Sequence, residues 1–370
     1  MREIGIGLIG TGFMGKTHAI AYRTAPAIFP DCPRVVLQAV SDTNQEAALR
    51  TASQFGFKRW TTNWRDLLTD PAIDVISITT PNALHKEMAL AAIAAGKHVH
   101  CEKPLAPNAN DAREMMEAAQ QKGCLTQVGF NYIKNPLLKW ARAMILNHEL
   151  GEIINFRGIH AEDFMADPDT PYSWRLDPSG GGGAVADLGS HIVGMARFLL
   201  GPITTVRADL ETVIKARPVA AGSTQRQPVL VDDIARLTVG FERGCSGTIE
   251  ANWLATGRTM QLGFEISGTK GALFFTQERL NEILYYKTAH KSGFTRIEAG
   301  PQHAPYGFFC VAPGHQLGFN DLKTIEMAEF LQAIETGSPQ GPDFKEAYEI
   351  QKVIDAAITS SADQKLVHIN

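Results

Sequence analysis

Two domains are predicted for this chain: a parallel-sheet α/β domain over residues 1–130, and over residues 131–370 an α+β domain with a large, mostly antiparallel sheet. Three observations lead there. The length of 370 residues exceeds what one hydrophobic core usually covers. Up to about residue 130, short apolar runs alternate with helical patterns, the rhythm of βαβ units. Beyond it, strand-like segments follow one another without strong helices between them, which points to an antiparallel or mixed sheet.

The elements of the first domain follow in order. Residues 4–9 are β-branched or Leu apart from two glycines, and a Gly-rich turn leads from them into a helical pattern at 16–24. Apolar residues 35–40 end at Ser41-Asp42, and 45–55 reads as a helix. A strand at 74–79 turns polar at its end. An Ala-rich helix over 84–95 closes at Gly96, a residue suited to the left-handed conformation of a helix end. A short strand at 98–101, a helix at 111–122 and a strand at 125–128 complete the series.

The second domain reads as a helix at 137–147, a strand at 155–161 and a glycine run, 180–183, opening a helix at 184–200. Strands are expected at 205–214, 229–241, 245–252, 262–267 and 272–276, and two closing helices at 321–335 and 344–360. Residues 287–318, rich in Gly, Pro, His and aromatics, read as a long surface or active-site loop.

Composition narrows the function classes. A hydrophobic fraction of 44% and a charged fraction of 20% are ordinary for a globular protein. A net charge of −4 and the lack of a long basic run disfavour nucleic acid as a partner. The five cysteines, Cys32, Cys101, Cys124, Cys245 and Cys310, are scattered and form no C-x-x-C pair, which argues against a disulfide framework or a zinc site and fits a reducing compartment. No ligand spacing of a metal centre is present, so no metal is expected. The start lacks a signal-peptide pattern and no apolar run is long enough to cross a bilayer, so a cytoplasmic, membrane-free protein is expected.

The first turn carries the clearest chemical signal. Gly10-Thr11-Gly12-Phe13-Met14-Gly15 is a G-x-G-x-x-G pattern that follows a strand and opens a helix, the context a dinucleotide site requires. Gly10 permits the tight turn, Gly12 leaves room for a pyrophosphate, and Gly15 lets helix and strand approach. The free N–H groups of the helix start and its dipole attract phosphate. Asp42 ends the next strand, further along than the usual ~20 residues because residues 25–33 insert a Pro-rich loop. A carboxylate there accepts bonds from the ribose hydroxyls and repels a 2′-phosphate. Its neighbours Thr43 and Asn44 are uncharged. The reading is a Rossmann domain for NAD, with NADP disfavoured; Lys16 softens that preference. The bland alternative is a set of turn glycines and a surface Asp.

Three further clusters sit at the ends of first-domain strands, where open α/β sheets bind ligands: Thr79-Thr80-Pro81-Asn82-Ala83-Leu84-His85, Cys101-Glu102-Lys103-Pro104-Leu105, and Gly129-Phe130-Asn131-Tyr132. Together with the glycine turn they resemble the Gfo/Idh/MocA family of oxidoreductases. Trp174-Arg175, Gly181-Gly182-Gly183-Ala184, Asp187-Leu188-Gly189-Ser190-His191, Asp232-Asp233 and Gly268-Thr269-Lys270-Gly271 extend the likeness through the second domain. Residues Pro313-Gly314-His315-Gln316-Leu317-Gly318-Phe319-Asn320-Asp321 are similar to a feature of inositol- and anhydrosugar-type dehydrogenases.

The resemblance implies hydride transfer between NAD(H) and a secondary alcohol of a cyclic polyol or pyranose sugar. It implies that Lys103 contacts the reacting hydroxyl, that His191 accepts or donates a proton, and that Asp187 is its partner and a substrate contact. Alcohol oxidation needs such a base, and partial burial would lower a lysine pKa toward neutrality. Either Lys103 or His191 can be that base. Asp187 and His191 stand i,i+4 on an expected helix, so the carboxylate can orient the imidazole. The cofactor set comprises Gly10, Thr11, Gly12, Phe13, Met14, Gly15, Asp42, Thr80, Pro81, Asn82, His85, Glu102, Lys103, Asn131, Trp174 and Arg175. The substrate set comprises Lys103, Tyr132, His160, Arg175, Asp187, His191 and His315, with His303 a further candidate. Taken singly, a Lys before Pro or a helical Asp/His pair is more often a surface feature. The Arg that often follows Asn-Tyr in the family is absent, and Lys134 is a candidate replacement. Pro104 raises the question of a cis peptide. Two other functions remain: an NAD-dependent glycosidase using transient oxidation, and a non-catalytic NAD-sensing regulator, which the presence of Lys103, Asp187 and His191 opposes. A homodimer or homotetramer is implied by resemblance.

Overall fold

The computed structural model describes residues 3–369. The chain forms two compact units. The first runs to Lys134 and takes up Gly318–Glu349; the second comprises Asn135–Leu317 and the chain from Ile350 onward. This corrects a single boundary near residue 130. The returning segment contains α9 (Phe319–Thr336), which packs on α1 (Phe13–Ile28). The apolar face of α9 buries Leu322, Ile325, Phe330 and Leu331 there.

The first unit carries six parallel strands: β1 (Glu3–Ile9), β2 (Arg34–Ser41), β3 (Arg59–Thr61), β4 (Val75–Ile78), β5 (His98–Cys101) and β6 (Thr126–Val128). Their order is β3-β2-β1-β4-β5-β6. Central β1 is buried at every residue after Glu3, as its near-continuous apolar run requires. The edge strand β3, Arg-Trp-Thr, is half-buried and offers no apolar run, which is why the sequence pattern missed it. Between the strands lie α1, α2 (Gln45–Phe55), α3 (His85–Ala94) and α4 (Ala109–Lys122). Asn44 and Asn108 cap α2 and α4 by accepting backbone N–H bonds, and left-handed glycines end both helices. Strand order reverses between β1 and β4, so the glycine turn and Thr79-Thr80 flank the switch point of the sheet.

The second unit is built on nine strands in the order β16-β15-β14-β13-β7-β12-β11-β8-β17. These are β7 (Ile153–Ala161), β8 (Ile203–Glu211), β11 (Ile234–Phe241), β12 (Ser246–Asn252), β13 (Gln261–Gly268), β14 (Gly271–Thr276), β15 (Glu282–Lys287), β16 (Thr295–Glu298) and β17 (Val367–His368). A separate hairpin pairs β9 (Ala216–Pro218) with β10 (Arg226–Pro228). Among the described residues, only the β7–β12 pairing in the large sheet is parallel. Phe156, Phe241, Phe264 and Phe275 interlock on its inner face, with ring centroids 5.8–6.4 Å apart. Helices α5 (Pro136–Leu146) and α7 (Gly189–Leu200) pack together, and α7 lies on β7 and β12.

Two expectations change. The helix expected over 184–200 breaks at Leu188 into α6 (Ala184–Asp187) and α7. Residues 287–318 are not wholly loop; they hold β16 and the single turn α8 (Tyr306–Phe309). The last helix, α10 (Phe344–Asp363), begins in the first unit and its remainder belongs to the second.

Candidate active site

In the first unit the glycine turn has the backbone its sequence demands. Gly10 stands at φ 96°, and a Cβ on Gly15 would lie 2.2 Å from the Gly10 carbonyl oxygen. A Cβ on Gly12 would meet nothing within 4 Å. Gly12 is also the N-cap of α1, with no side-chain cap and no acid in the first turn. The turn therefore presents helix N–H groups beside open space, which is where an anion binds.

Asp42 ties this turn to β2. Its Oδ2 accepts from the Thr11 N–H at 2.9 Å and the Thr11 hydroxyl at 2.6 Å, and its Oδ1 accepts from the Asn44 N–H at 2.9 Å. Its carboxylate is half-buried, so part of it stays accessible. Phe13 is exposed, and its ring stacks on Phe319 of α9 at 5.7 Å. The buried Tyr132 ring lies 6.0 Å from Phe319 on another side. Phe319 belongs to a motif the sequence singled out, but only the fold brings it to the turn. Met14 is half-buried beside Phe13.

After β4, Thr80 and Pro81 precede the buried Asn82. His85 does not offer a ring nitrogen to a ligand. It is fully buried, with Nδ1 3.0 Å from the Pro104 carbonyl and Nε2 2.8 Å from the Thr80 carbonyl. Burial first of all keeps its pKa low. It is a post between two strand-end loops, which corrects its reading as a cofactor contact. After β5, the Lys103–Pro104 peptide is cis, Glu102 is buried and Lys103 is half-buried. After β6, Asn131 is buried and its Nδ2 has no partner among the described residues. Lys134 is not a free basic contact: it is buried, and its Nζ donates to Glu329 and to the Gly341 carbonyl, both at 2.5 Å.

The second unit gathers a second cluster. Arg175 donates from Nε to Asp187 Oδ2 at 3.0 Å, and its guanidinium lies 4.4 Å from the Trp174 ring centroid and 5.9 Å from that of Phe164. Asp187 ends α6 and His191 lies in the first turn of α7, so the two flank the break at Leu188. Both are 8% exposed. His160 is corrected from a substrate contact to a support. Its Nδ1 lies 3.0 Å from the Leu188 carbonyl oxygen, its Nε2 lies 2.9 Å from Glu162 Oε1, and its ring meets the His191 ring edge-on at 5.4 Å. His303 is buried against Trp140 and accepts the Gly300 N–H. His315 is exposed on the segment after α8. Asp232 accepts the Val185 N–H at 2.8 Å, and burial foremost pushes its pKa up to about 7.

The open cradle at Gly12, the uncapped start of α1 and the unpartnered Asn131 amide fit a dinucleotide. The fold and this site define an NAD-dependent oxidoreductase. Residues 4–130 match the oxidoreductase family with an NAD-binding Rossmann fold, and residues 138–274 match the GFO/IDH/MocA C-terminal domain. The chain belongs to the Gfo/Idh/MocA family. It is 37% identical to levoglucosan dehydrogenase of Pseudarthrobacter phenanthrenivorans, over 100% of this chain and 99% of the relative. A levoglucosan dehydrogenase in complex with NADH and levoglucosan superposes with a TM-score of 0.95 at 37% identity, covering 100% of both chains. An NAD-binding oxidoreductase from Klebsiella pneumoniae reaches 0.95 at 40% identity, again over 100% of both. Among the described residues, no helix is long and apolar enough to cross a membrane.

Proposed function

We propose that this protein transfers hydride between NAD(H) and a secondary hydroxyl of a cyclic polyol or pyranose sugar, with an anhydrosugar of the levoglucosan type first among the candidates. The likeness to levoglucosan dehydrogenase over the whole of both chains carries the reading. Lys103, Asp187 and His191 of the ordered motif set accompany it.

The residues divide the work by chemistry. Gly10, Thr11, Gly12, Phe13, Met14 and Gly15 receive the pyrophosphate against bare backbone, and Asp42 accepts the adenosine ribose hydroxyls and repels a 2′-phosphate. Thr80, Pro81, Asn82, Glu102 and Asn131 are the further cofactor contacts of the first unit in this reading, and Trp174 and Arg175 are those of the second. NAD, when bound, supplies the hydride acceptor. Lys103 and His191 exchange the hydroxyl proton, and Asp187 orients the sugar together with Arg175. Tyr132 offers a hydroxyl to the substrate, and His315 is a candidate contact from its exposed segment. Several hydroxyl partners of this kind favour a polyol or sugar over a simple alcohol.

The test is nicotinamide absorbance with purified protein, NAD and a panel of levoglucosan, inositols and free pyranoses. NADH accumulation with at least one member is expected. Silence across the panel with NADH binding intact would overturn the substrate class, and release of an aglycone from a glycoside without net NADH would replace oxidation by transient-oxidation hydrolysis.

A further inference from the structure

Beneath the Lys103 loop lies a buried polar cluster of which the reaction as described uses only Glu102. It joins Glu102 at the end of β5, His18 and Tyr22 of α1, Ser77 of β4, His100 of β5, and Lys323 and Glu326 of α9. None of these seven residues is more than 5% exposed. Lys323 Nζ donates to Glu102 Oε1 at 2.8 Å and to Glu326 Oε1 at 2.7 Å.

The two imidazoles have assigned tautomers. His18 Nε2 lies 2.8 Å from Glu102 Oε1 and His100 Nε2 lies 3.0 Å from Glu326 Oε1, so each Nε2 carries the proton and donates to a carboxylate. Each Nδ1 then accepts, from the Ser77 hydroxyl at 2.8 Å and the Tyr22 hydroxyl at 3.3 Å. Burial, then His100 and Lys323, hold the His18 pKa at about 3, so the ring is neutral at neutral pH. Burial opposes charge on Lys323 and Glu102 as well. The neighbouring carboxylates nevertheless raise the lysine, and Lys323 and His18 hold Glu102 well below the usual carboxylate range. The cluster is thus one ammonium between two carboxylates.

Glu102 links this cluster to the loop. Its Oε2 accepts the Lys103 backbone N–H at 3.2 Å. No slack exists on the far side, because a Cβ on Gly129 would lie 2.4–2.6 Å from the Glu102 carboxylate. One carboxylate therefore has one oxygen on a buried ammonium and the other on the peptide of Lys103. A buried pair of this kind holds its geometry at a cost in desolvation, and its positioning use is the one that repays that cost.

We propose that Lys323 is a positioning residue for Lys103, acting through the Glu102 carboxylate to fix the Lys103 backbone. The assignment rests on the proposed role of Lys103 in proton exchange. The groups facing Glu102 are Lys323 and Glu326 from α9, His18 from α1, Cys101 and His100 from β5, and His85 from α3. Removing the Lys323 charge leaves the carboxylates unopposed. Glu102 then loses the ammonium that holds its Oε1, and the Lys103 N–H loses a fixed acceptor.

The experiment compares the wild type with Lys323→Met and with the double variant Lys323→Met/Glu326→Gln, which restores the net charge of the cluster and keeps a folded protein should the single variant fail. Two readouts are taken. With an active sugar, kcat for oxidation is expected to fall at least tenfold in both variants, with NADH affinity and the sugar KM within threefold. Independently of turnover, labelling of Lys103 by acetic anhydride, read by mass spectrometry, is expected to quicken at least threefold at pH 8 in both variants, because the Lys103 backbone loses its fixed anchor. Folded variants with wild-type kcat, or wild-type Lys103 labelling, overturn the proposal. A wild type inactive on every sugar overturns the substrate reading instead, and the labelling result then decides the proposal alone.

Discussion

At the residue scale, the two clusters differ in what a substitution does. His191 is nearly buried, rests edge-on against His160 and sits in the first turn of α7, so truncating it removes the proposed proton-exchanging group while its neighbours stay anchored. His191→Ala is expected to lower kcat by about 10²–10⁴-fold, the range of a lost general acid–base, with NADH affinity nearly unchanged. Steady-state kinetics beside a fluorescence titration of NADH would check this; parallel loss of both marks the residue as structural. Asp232 makes a different prediction. Its folded pKa of about 7 lies above the ordinary 3.8, so the fold favours its protonated form. Its contribution to stability is greatest below pH 3.8 and is lost as pH rises through 7. Asp232→Asn keeps an acceptor for the Val185 N–H and removes that loss. Urea unfolding of both proteins should show the variant gaining on the wild type between pH 5 and pH 8; a constant difference would mean that Asp232 is ionised in the fold.

At the element scale, the turn between β1 and α1 separates two uses of glycine. Gly15 lets two backbones touch, whereas Gly12 leaves space for something else. Gly15→Ala must displace the Gly10 carbonyl and is expected to cost about 1–3 kcal/mol of stability, as overpacking does. A Cβ on Gly12 meets no described atom beyond its chain neighbours within 4 Å, so the stability of Gly12→Val should stay within about 0.5 kcal/mol of wild type. Its NADH affinity should nevertheless drop at least about tenfold, since the isopropyl group enters the phosphate space. Denaturant titrations and NADH titrations of the pair provide the check, and Gly12→Val with intact NADH affinity would mean that the cofactor lies elsewhere. This turn was legible in the sequence because its requirements are local: a strand, three glycines at fixed offsets and a helix start. The strands of the first sheet other than β3 were legible for the same reason, through their apolar runs. What escaped was non-local. Nothing in the pattern of residues 319–336 says that Lys323 and Glu326 face inward, because charged residues on an amphipathic helix ordinarily face water. Their burial follows from carboxylate and imidazole partners on elements far back in the chain. His85 and His160 misled for the complementary reason. A histidine beside a site motif reads as a ligand until its ring nitrogens are found on protein carbonyls and a carboxylate.

At the scale of the whole molecule, the nine-stranded sheet carries an argument for self-association. One row runs across its outer face in register: Arg207, Thr238, Thr248, Arg157, Glu265, Phe274 and Leu284 occupy successive strands. Arg236, Asp209 and Glu250 stand beside it, and Arg236 pairs with Asp209 at 3.8 Å and Glu211 at 3.2 Å. Charges of both signs interleaved with threonines, an aromatic and a leucine form a face that can oppose a copy of itself, arginine of one chain against glutamate of the other. The expectation is a homodimer or homotetramer in light scattering. Thr238→Arg places a third cation in the row between Arg207 and Arg157, where a two-fold axis would bring like charges together. Its side chain is exposed on the sheet, so folding should be kept, while association should weaken at least about tenfold, the equivalent of 1.4 kcal/mol. NADH affinity should not change, because the glycine turn belongs to the other unit. A wild type that is monomeric at micromolar concentration, or a Thr238→Arg variant that associates as the wild type does, would remove this face as the site of assembly.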